Sequence, residues 1–138
     1  MGGLVMSGKA MMPIERVLTT LGQQEPDRVP FFLPVTMHGA KELGMSIREY
    51  FSKPGHVAEG QLRLRRKYKQ DFLYAFFYGA IDAEAWGGEV VYRDDGPPNF
   101  GEPLIQRFDV ISGLHPPRIE DEPCLTKVLE AIELLKAQ

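Results

Sequence analysis

Two short apolar stretches of the chain are each followed by side chains that could do chemistry. His38 and Lys41 come after VPFFLPVTM, and Tyr78 and Asp82 lie at and beyond the end of DFLYAFFYG. The imidazole of His38, with a near-neutral intrinsic pKa, could donate a proton, bind a metal ion or anchor a substrate. Reactive side chains in parallel β/α architectures lie just past the carboxyl ends of strands. By this rule the candidate site residues are Met37, His38 and Lys41 after the first stretch, and Tyr78 and Asp82 after the second.

Each of these residues also has an ordinary interpretation. His38 could be a loop histidine without a ligand, and Tyr78 could be one more aromatic of the core. Asp82 and Glu84 lie two positions apart on a short predicted helix and point about 200° apart, so they make a poor carboxylate pair. Cys124 is the only cysteine. Neither a disulfide nor a zinc site with several thiolates can therefore form within one chain.

Three helices can be predicted from proline starts and from apolar spacing. The first begins at Pro13 and ends before Gly22, the second runs from Pro54 to about Tyr68, and the last covers TKVLEAIELLKAQ. Basic side chains of the second helix at Arg63, Arg66 and Lys67 mostly face away from its apolar side. They could form a solvated helix face or a site for an anion or a partner.

The apolar stretches at residues 29–35 and 71–79 predict two core strands, although Pro30 and Pro34 cannot donate to a ladder. The helices between them make a crossover long enough for a parallel βαβ unit. Residues 89–93 and 103–107 predict a β-hairpin at the side. Eight strands close a (β/α)8 barrel and typically need about 250 residues, so this chain could at most supply the opening, amino-terminal quarter of a TIM-type barrel, incomplete by itself.

Composition indicates one globular α/β domain. The chain has 138 residues, of which 43% are hydrophobic and 25% charged, and its net charge is -3. This charge gives no general attraction to nucleic acid or to an anionic membrane, and we expect neither as a partner. The single cysteine and the lack of a signal-peptide pattern predict a cytoplasmic protein. We expect residues 1–12 to be a disordered tail and residues 13–138 to form the barrel segment.

Three longer stretches indicate a family. ERVLTTLGQQEPDRVPFF, HGAKELGMSIREYFSKP and FFYGAIDAEAWGGEVVYRDDGPPNFGEPLI occur in this order. The chain resembles the amino-terminal part of the uroporphyrinogen decarboxylase superfamily. Within it, the chain is most similar to the methylcobalamin:coenzyme M methyltransferases and related corrinoid methyltransferases. The resemblance covers residues 13–138, which is about the first third of such a barrel domain.

The resemblance implies an active site at the carboxyl ends of the barrel strands, but this chain departs from the decarboxylase pattern at two points. The decarboxylases have Met-Arg-Gln-Ala-Gly-Arg after the first strand, and their two arginines hold substrate carboxylates. Here the matching residues 37–41 read Met-His-Gly-Ala-Lys. The decarboxylase aspartate after the second strand, which binds pyrrole nitrogens, corresponds to Tyr78. Porphyrinogen decarboxylation is therefore disfavoured.

In the methyltransferase branch, a His-x-Cys motif and a later cysteine bind zinc, which activates a substrate thiol. These ligands belong to a later part of the barrel, so the resemblance implies zinc that this chain does not bind alone. His38, Lys41 and Tyr78 would line a pocket for a corrinoid such as methylcobalamin. The expected partners are a second copy or another chain that completes the barrel, and a corrinoid protein. The alternative is a non-catalytic module, derived from the barrel, that self-associates or binds a partner.

Overall fold

The fold is built mainly from helices. The computed structural model describes residues 10–94 and 96–138, so residues 1–9 of the predicted tail lie outside the described residues. The α-helices are α1 (Pro13–Leu21), α2 (His38–Leu43), α3 (Ile47–Tyr50), α4 (Pro54–Tyr68), α5 (Ile81–Ala85) and α6 (Pro123–Lys136). Two 3₁₀ helices span Phe108–Gly113 and Ile119–Asp121. No helix within the described ranges is both long and apolar enough to cross a membrane.

The helix ends follow local sequence signals. Prolines occupy the first turns of α1, α4 and α6, where a missing backbone N–H costs nothing. The Ser46 hydroxyl caps α3 by accepting the Glu49 amide at 3.1 Å. α2 ends at Gly44, whose φ of 67° is left-handed. The predictions for α1, α4 and α6 are confirmed to within a few residues.

The two predicted core strands are absent as strands from the described part of the chain, and this prediction was wrong. Residues 29–35 and 72–79, here called the first and second extended segments, belong to no ladder. Pro30 and Pro34 have no N–H, while the Phe31 and Leu33 amides donate to the Asp71 and Gln70 side chains at 3.0 and 3.3 Å. Side chains thus take the places that a neighbouring backbone would occupy.

The two extended segments nevertheless begin side by side. The Asp71 amide donates to the Phe31 carbonyl at 3.1 Å. The Phe32 ring meets the rings of Phe72 and Tyr74 edge to face, with centroids 5.7 and 5.2 Å apart. Aromatic packing therefore holds the two extended segments together in the absence of a backbone ladder between them.

The side hairpin forms, but its second strand is not where the sequence predicted it. β1 (Val90–Val91) pairs antiparallel with β2 (Asn99–Phe100), and Val90 is opposite Phe100. The Gly101 amide extends the pairing by donating to the Glu89 carbonyl at 3.0 Å. The predicted piece at residues 103–107 begins with a proline and is not part of the sheet.

Buried aromatic rings form the centre of the core. Phe51 contacts the rings of Tyr50, Phe77 and Tyr78, with centroids 5.0 to 5.8 Å apart. Around these four rings lie buried aliphatic side chains of α4, α5 and α6. The core therefore joins α3, the end of the second extended segment and the later helices, and Ala40 of α2 is part of it.

Candidate functional site

His38 and Lys41 lie on the six-residue helix α2, His38 as its first residue and Lys41 in its last turn. Being three positions apart on a helix, they share a face. Both side chains are exposed and line an open cavity of about 450 Å³. Its other lining residues are Met37, Ala40, Met45, Ser46, Ile47 and Asp94. We call this the His38 cavity.

Tyr78 does not line the His38 cavity. Its side chain is almost fully buried, and its hydroxyl donates a short hydrogen bond to Glu84 Oε2 on α5. Its ring faces a different cavity of about 350 Å³, formed with Ile81, Leu125 and Val128 among others. The structure thus brings His38 and Lys41 together and separates Tyr78 from them.

Tyr78 is a neutral hydrogen-bond donor. Burial raises the pKa of its phenol, and the neighbouring Glu84 carboxylate raises it further, because an anion there opposes a second negative charge. The hydroxyl therefore stays protonated throughout the physiological range. A neutral phenol cannot replace an aspartate as the anionic acceptor for pyrrole N–H groups.

Arg48 was not predicted as a site residue, yet it connects the two regions. Its guanidinium stacks on the Tyr92 ring at 4.3 Å, and the Tyr92 ring meets that of Tyr78 at 5.9 Å. Arg48 directly follows Ser46 and Ile47, which line the His38 cavity. Its place within SIREYF gave no signal, because the pairing with Tyr92 joins residues that are distant in the sequence.

Glu84 was also missed as a partner of Tyr78. The sequence analysis weighed it only against Asp82 as a carboxylate pair. Asp82 is exposed at the rim of the cavity that Tyr78 lines, whereas Glu84 turns toward the phenol. A contact between the end of the second extended segment and the following helix depends on how tightly the intervening Gly79-Ala80 turn closes, and spacing alone does not determine that.

The donor atoms do not form a zinc site of the kind that the resemblance implies. Within residues 10–94 and 96–138, no three His, Cys, Asp or Glu side chains cluster in a way that could hold a metal ion. Cys124 is buried, with its thiol 3.9 Å from the Ile81 carbonyl oxygen. Burial raises the pKa of this thiol and so disfavours its thiolate form.

A family comparison supplies the class of protein. A family model described as uroporphyrinogen decarboxylase (URO-D) matches residues 12–138, and the chain belongs to this family. Membership implies a TIM-barrel type of fold, and the helices and extended segments described here are compatible with part of such a domain. Searches among curated proteins and among solved structures gave no match.

Proposed function

We propose that this chain forms one wall of the active-site cleft in a corrinoid-dependent methyltransferase of the URO-D family. The observation that carries the proposal is the lining of the His38 cavity, which includes an imidazole and an ammonium group but no arginine among the described residues. A porphyrinogen presents several carboxylates, and these are best held by bidentate guanidinium groups. The neutral Tyr78 phenol also argues against a porphyrinogen substrate, whose pyrrole N–H groups need an anionic acceptor.

The mixed lining of the cavity suits the rim of a corrinoid. Met37, Met45 and Ile47 offer apolar contacts, while His38, Lys41 and Ser46 offer hydrogen bonds to amide groups. Bound methylcobalamin would supply the methyl group to a thiolate acceptor. The part of this chain would be to bind and orient; the zinc ligands would come from elsewhere. We propose the cytoplasm as its location.

The test is whether the purified chain binds methylcobalamin, measured by equilibrium dialysis and by changes in the visible spectrum of methylcobalamin. We expect saturable binding, and we expect His38→Ala/Lys41→Ala to weaken it by about tenfold through loss of two polar contacts. The matched control is His115→Ala, since His115 is an exposed histidine outside the cavity. Absence of binding, or equal loss in the control, would contradict the proposal.

A second candidate function is a non-catalytic module that associates with itself or with a partner. It is favoured by an apolar groove of about 500 Å³ between the second extended segment and α6, lined by Leu73, Tyr74, Phe76, Val128 and Ile132 among others. Contiguous apolar surface of this kind commonly marks an interface. This second candidate predicts that chains associate but do not bind methylcobalamin. Measuring methylcobalamin binding and the mass of the protein in solution therefore distinguishes the two candidates.

A further inference from the structure

Another cavity, which shares no lining residue with the His38 cavity, is strongly basic. It has a volume of about 470 Å³ and lies between α1, Arg28 and the end of α4. Among the described residues, Asp71 is the only acidic side chain that lines it. Five cationic side chains line it: Arg16, Arg28, Arg65, Arg66 and Lys69. We call this the basic cleft.

The charges of the basic cleft divide into two groups. Arg16 and Arg28 are neutralised, because both bind Asp71 and Arg16 also binds Asp27 at 2.5 Å. Arg65, Arg66 and Lys69 have no carboxylate within ion-pair distance in the part of the chain that the structure describes. The cleft therefore carries an excess of positive charge in a chain whose net charge is -3.

The other side of α4 gives a contrast within the same helix. Arg63 binds Glu59 at 2.8 Å, and Lys67 binds Glu42 at 2.6 Å. These two cations are thus paired on one flank, while Arg65, Arg66 and Lys69 on the cleft side form no ion pair with any described residue. The negative end of the helix dipole favours basic residues in the last turn of α4. It does not explain why basic residues of other elements converge on the same space.

A buried amide lies in the wall of the basic cleft. Gln70 lines the basic cleft with only 1% of its surface exposed. Its Oε1 accepts the Leu33 amide, but its Nε2 finds no acceptor among the described residues. A buried N–H donor without an acceptor is destabilising, and because this nitrogen is closed off from solvent, an oxyanion in the cleft would reach it only after the Gln70 side chain turned toward the cleft.

We propose that the basic cleft binds a small molecule that carries two linked phosphoryl groups. Arginine guanidinium groups bind phosphate oxygens in pairs, and Lys69 adds a point charge. The volume lies within the range of about 300–1,000 Å³ that small-ligand sites occupy. Two phosphoryl groups match the three unneutralised cations better than one, and neither the His38 cavity nor methyl transfer is involved.

The experiment is calorimetric titration of the chain with inorganic pyrophosphate at low ionic strength, with orthophosphate in parallel. We expect pyrophosphate to bind more tightly than orthophosphate. Arg66→Gln/Lys69→Gln, which changes two exposed side chains, should weaken binding by about tenfold or more. The charge-matched control is Arg63→Gln/Lys67→Gln on the other flank of α4, for which we expect a change of less than about threefold.

Three results would overturn the proposal. One is the absence of pyrophosphate binding to the unaltered chain. Another is an equal loss in the control variant, since it would indicate general charge attraction. The third is tighter binding of a single-stranded oligonucleotide that depends on the same residues, which would make the cleft a nucleic-acid surface. Thermal melting of each variant establishes that it is folded before titration.

Discussion

The buried Asp71 carboxylate accepts four hydrogen bonds from three other residues. Its carboxylate binds Arg16, receives both Nη atoms of Arg28 at 2.7 and 2.9 Å, and accepts the Phe31 amide at 3.0 Å. Its side chain is fully buried. One residue thus fastens α1 and the first extended segment to the end of α4, without any strand ladder.

Replacing Asp71 by asparagine should be strongly destabilising. The neutral amide would leave the buried Arg16 guanidinium without its charged partner on this side, and breaking a buried pair costs about 3 kcal/mol. Urea denaturation measures the change in the free energy of unfolding. Asp109→Asn is the control, because Asp109 forms an exposed pair with Arg107 that should contribute about 0.5 kcal/mol or less. Equal effects of the two changes would contradict this assignment.

The same carboxylate should make the protein sensitive to acid. Burial raises the pKa of Asp71, but hydrogen bonds from Phe31, Arg28 and Arg16 lower it by more, so the net value lies below the ordinary 3.8. Its contribution to stability is therefore complete above the ordinary aspartate pKa of about 3.9 and is lost as the pH falls through the folded-state pKa. Urea denaturation repeated at decreasing pH should show this loss, and Asp71→Asn should reduce the slope.

At the scale of elements, α2 and α4 approach closely because glycines face the ring of Tyr50. A Cβ atom on Gly60 would lie 2.6 Å from Tyr50 Cε2 and 2.9 Å from the Cα of Gly39. The Tyr50 hydroxyl donates to the Val57 carbonyl at 3.3 Å. The ring thus fills the space between the two helices.

Gly60→Ala should therefore destabilise the chain even though alanine favours helices. The added methyl group must displace a fully buried ring or the backbone of α2, at a cost of about 1–3 kcal/mol. Gly55→Ala on the same helix is the control, since nothing lies within 4 Å of its Cβ position. That change should stabilise the helix by about 0.5–1 kcal/mol. Thermal unfolding distinguishes the two, and a neutral Gly60→Ala would disprove the close approach.

The sequence predicted the helices well and the extended segments poorly, for a physical reason. Proline starts and apolar spacing are local, so α1, α4 and α6 could be located directly. Whether residues 29–35 form a ladder depends on Asp71 and Gln70, which lie far along the chain and whose side chains take the amide hydrogens. In the candidate site, the neighbouring His38 and Lys41 were predictable as a pair, while the link from Arg48 through Tyr92 was not.

At the scale of the whole molecule, the groove beside α6 is a large apolar opening in the described chain. Phe76 and Ile132 at its edge keep 38% and 39% of their surface exposed. In a complete barrel, further strands and helices would cover the flank beside the second extended segment. We therefore propose that another copy, or another chain, covers this groove.

Light scattering at increasing concentration tests this association. We expect a mass at least twice that of one chain, because apolar surface of this extent is favourably removed from water. Ile132→Glu should shift the distribution toward the monomer. Leu21→Glu introduces the same charge at an exposed leucine of α1 outside the groove and should have no effect. A monomer at every concentration would contradict self-association.

The Tyr50 ring, which packs against Gly39 and Gly60, constrains the order in which substitutions can occur at these three positions. A larger residue at Gly39 becomes tolerable only after position 50 has lost its ring, and losing the ring first leaves a void. A larger residue at Gly60 would still meet the Gly39 backbone. The three positions are thus epistatic: a substitution by a larger residue at either glycine, or loss of the ring at position 50, is destabilising when it occurs alone.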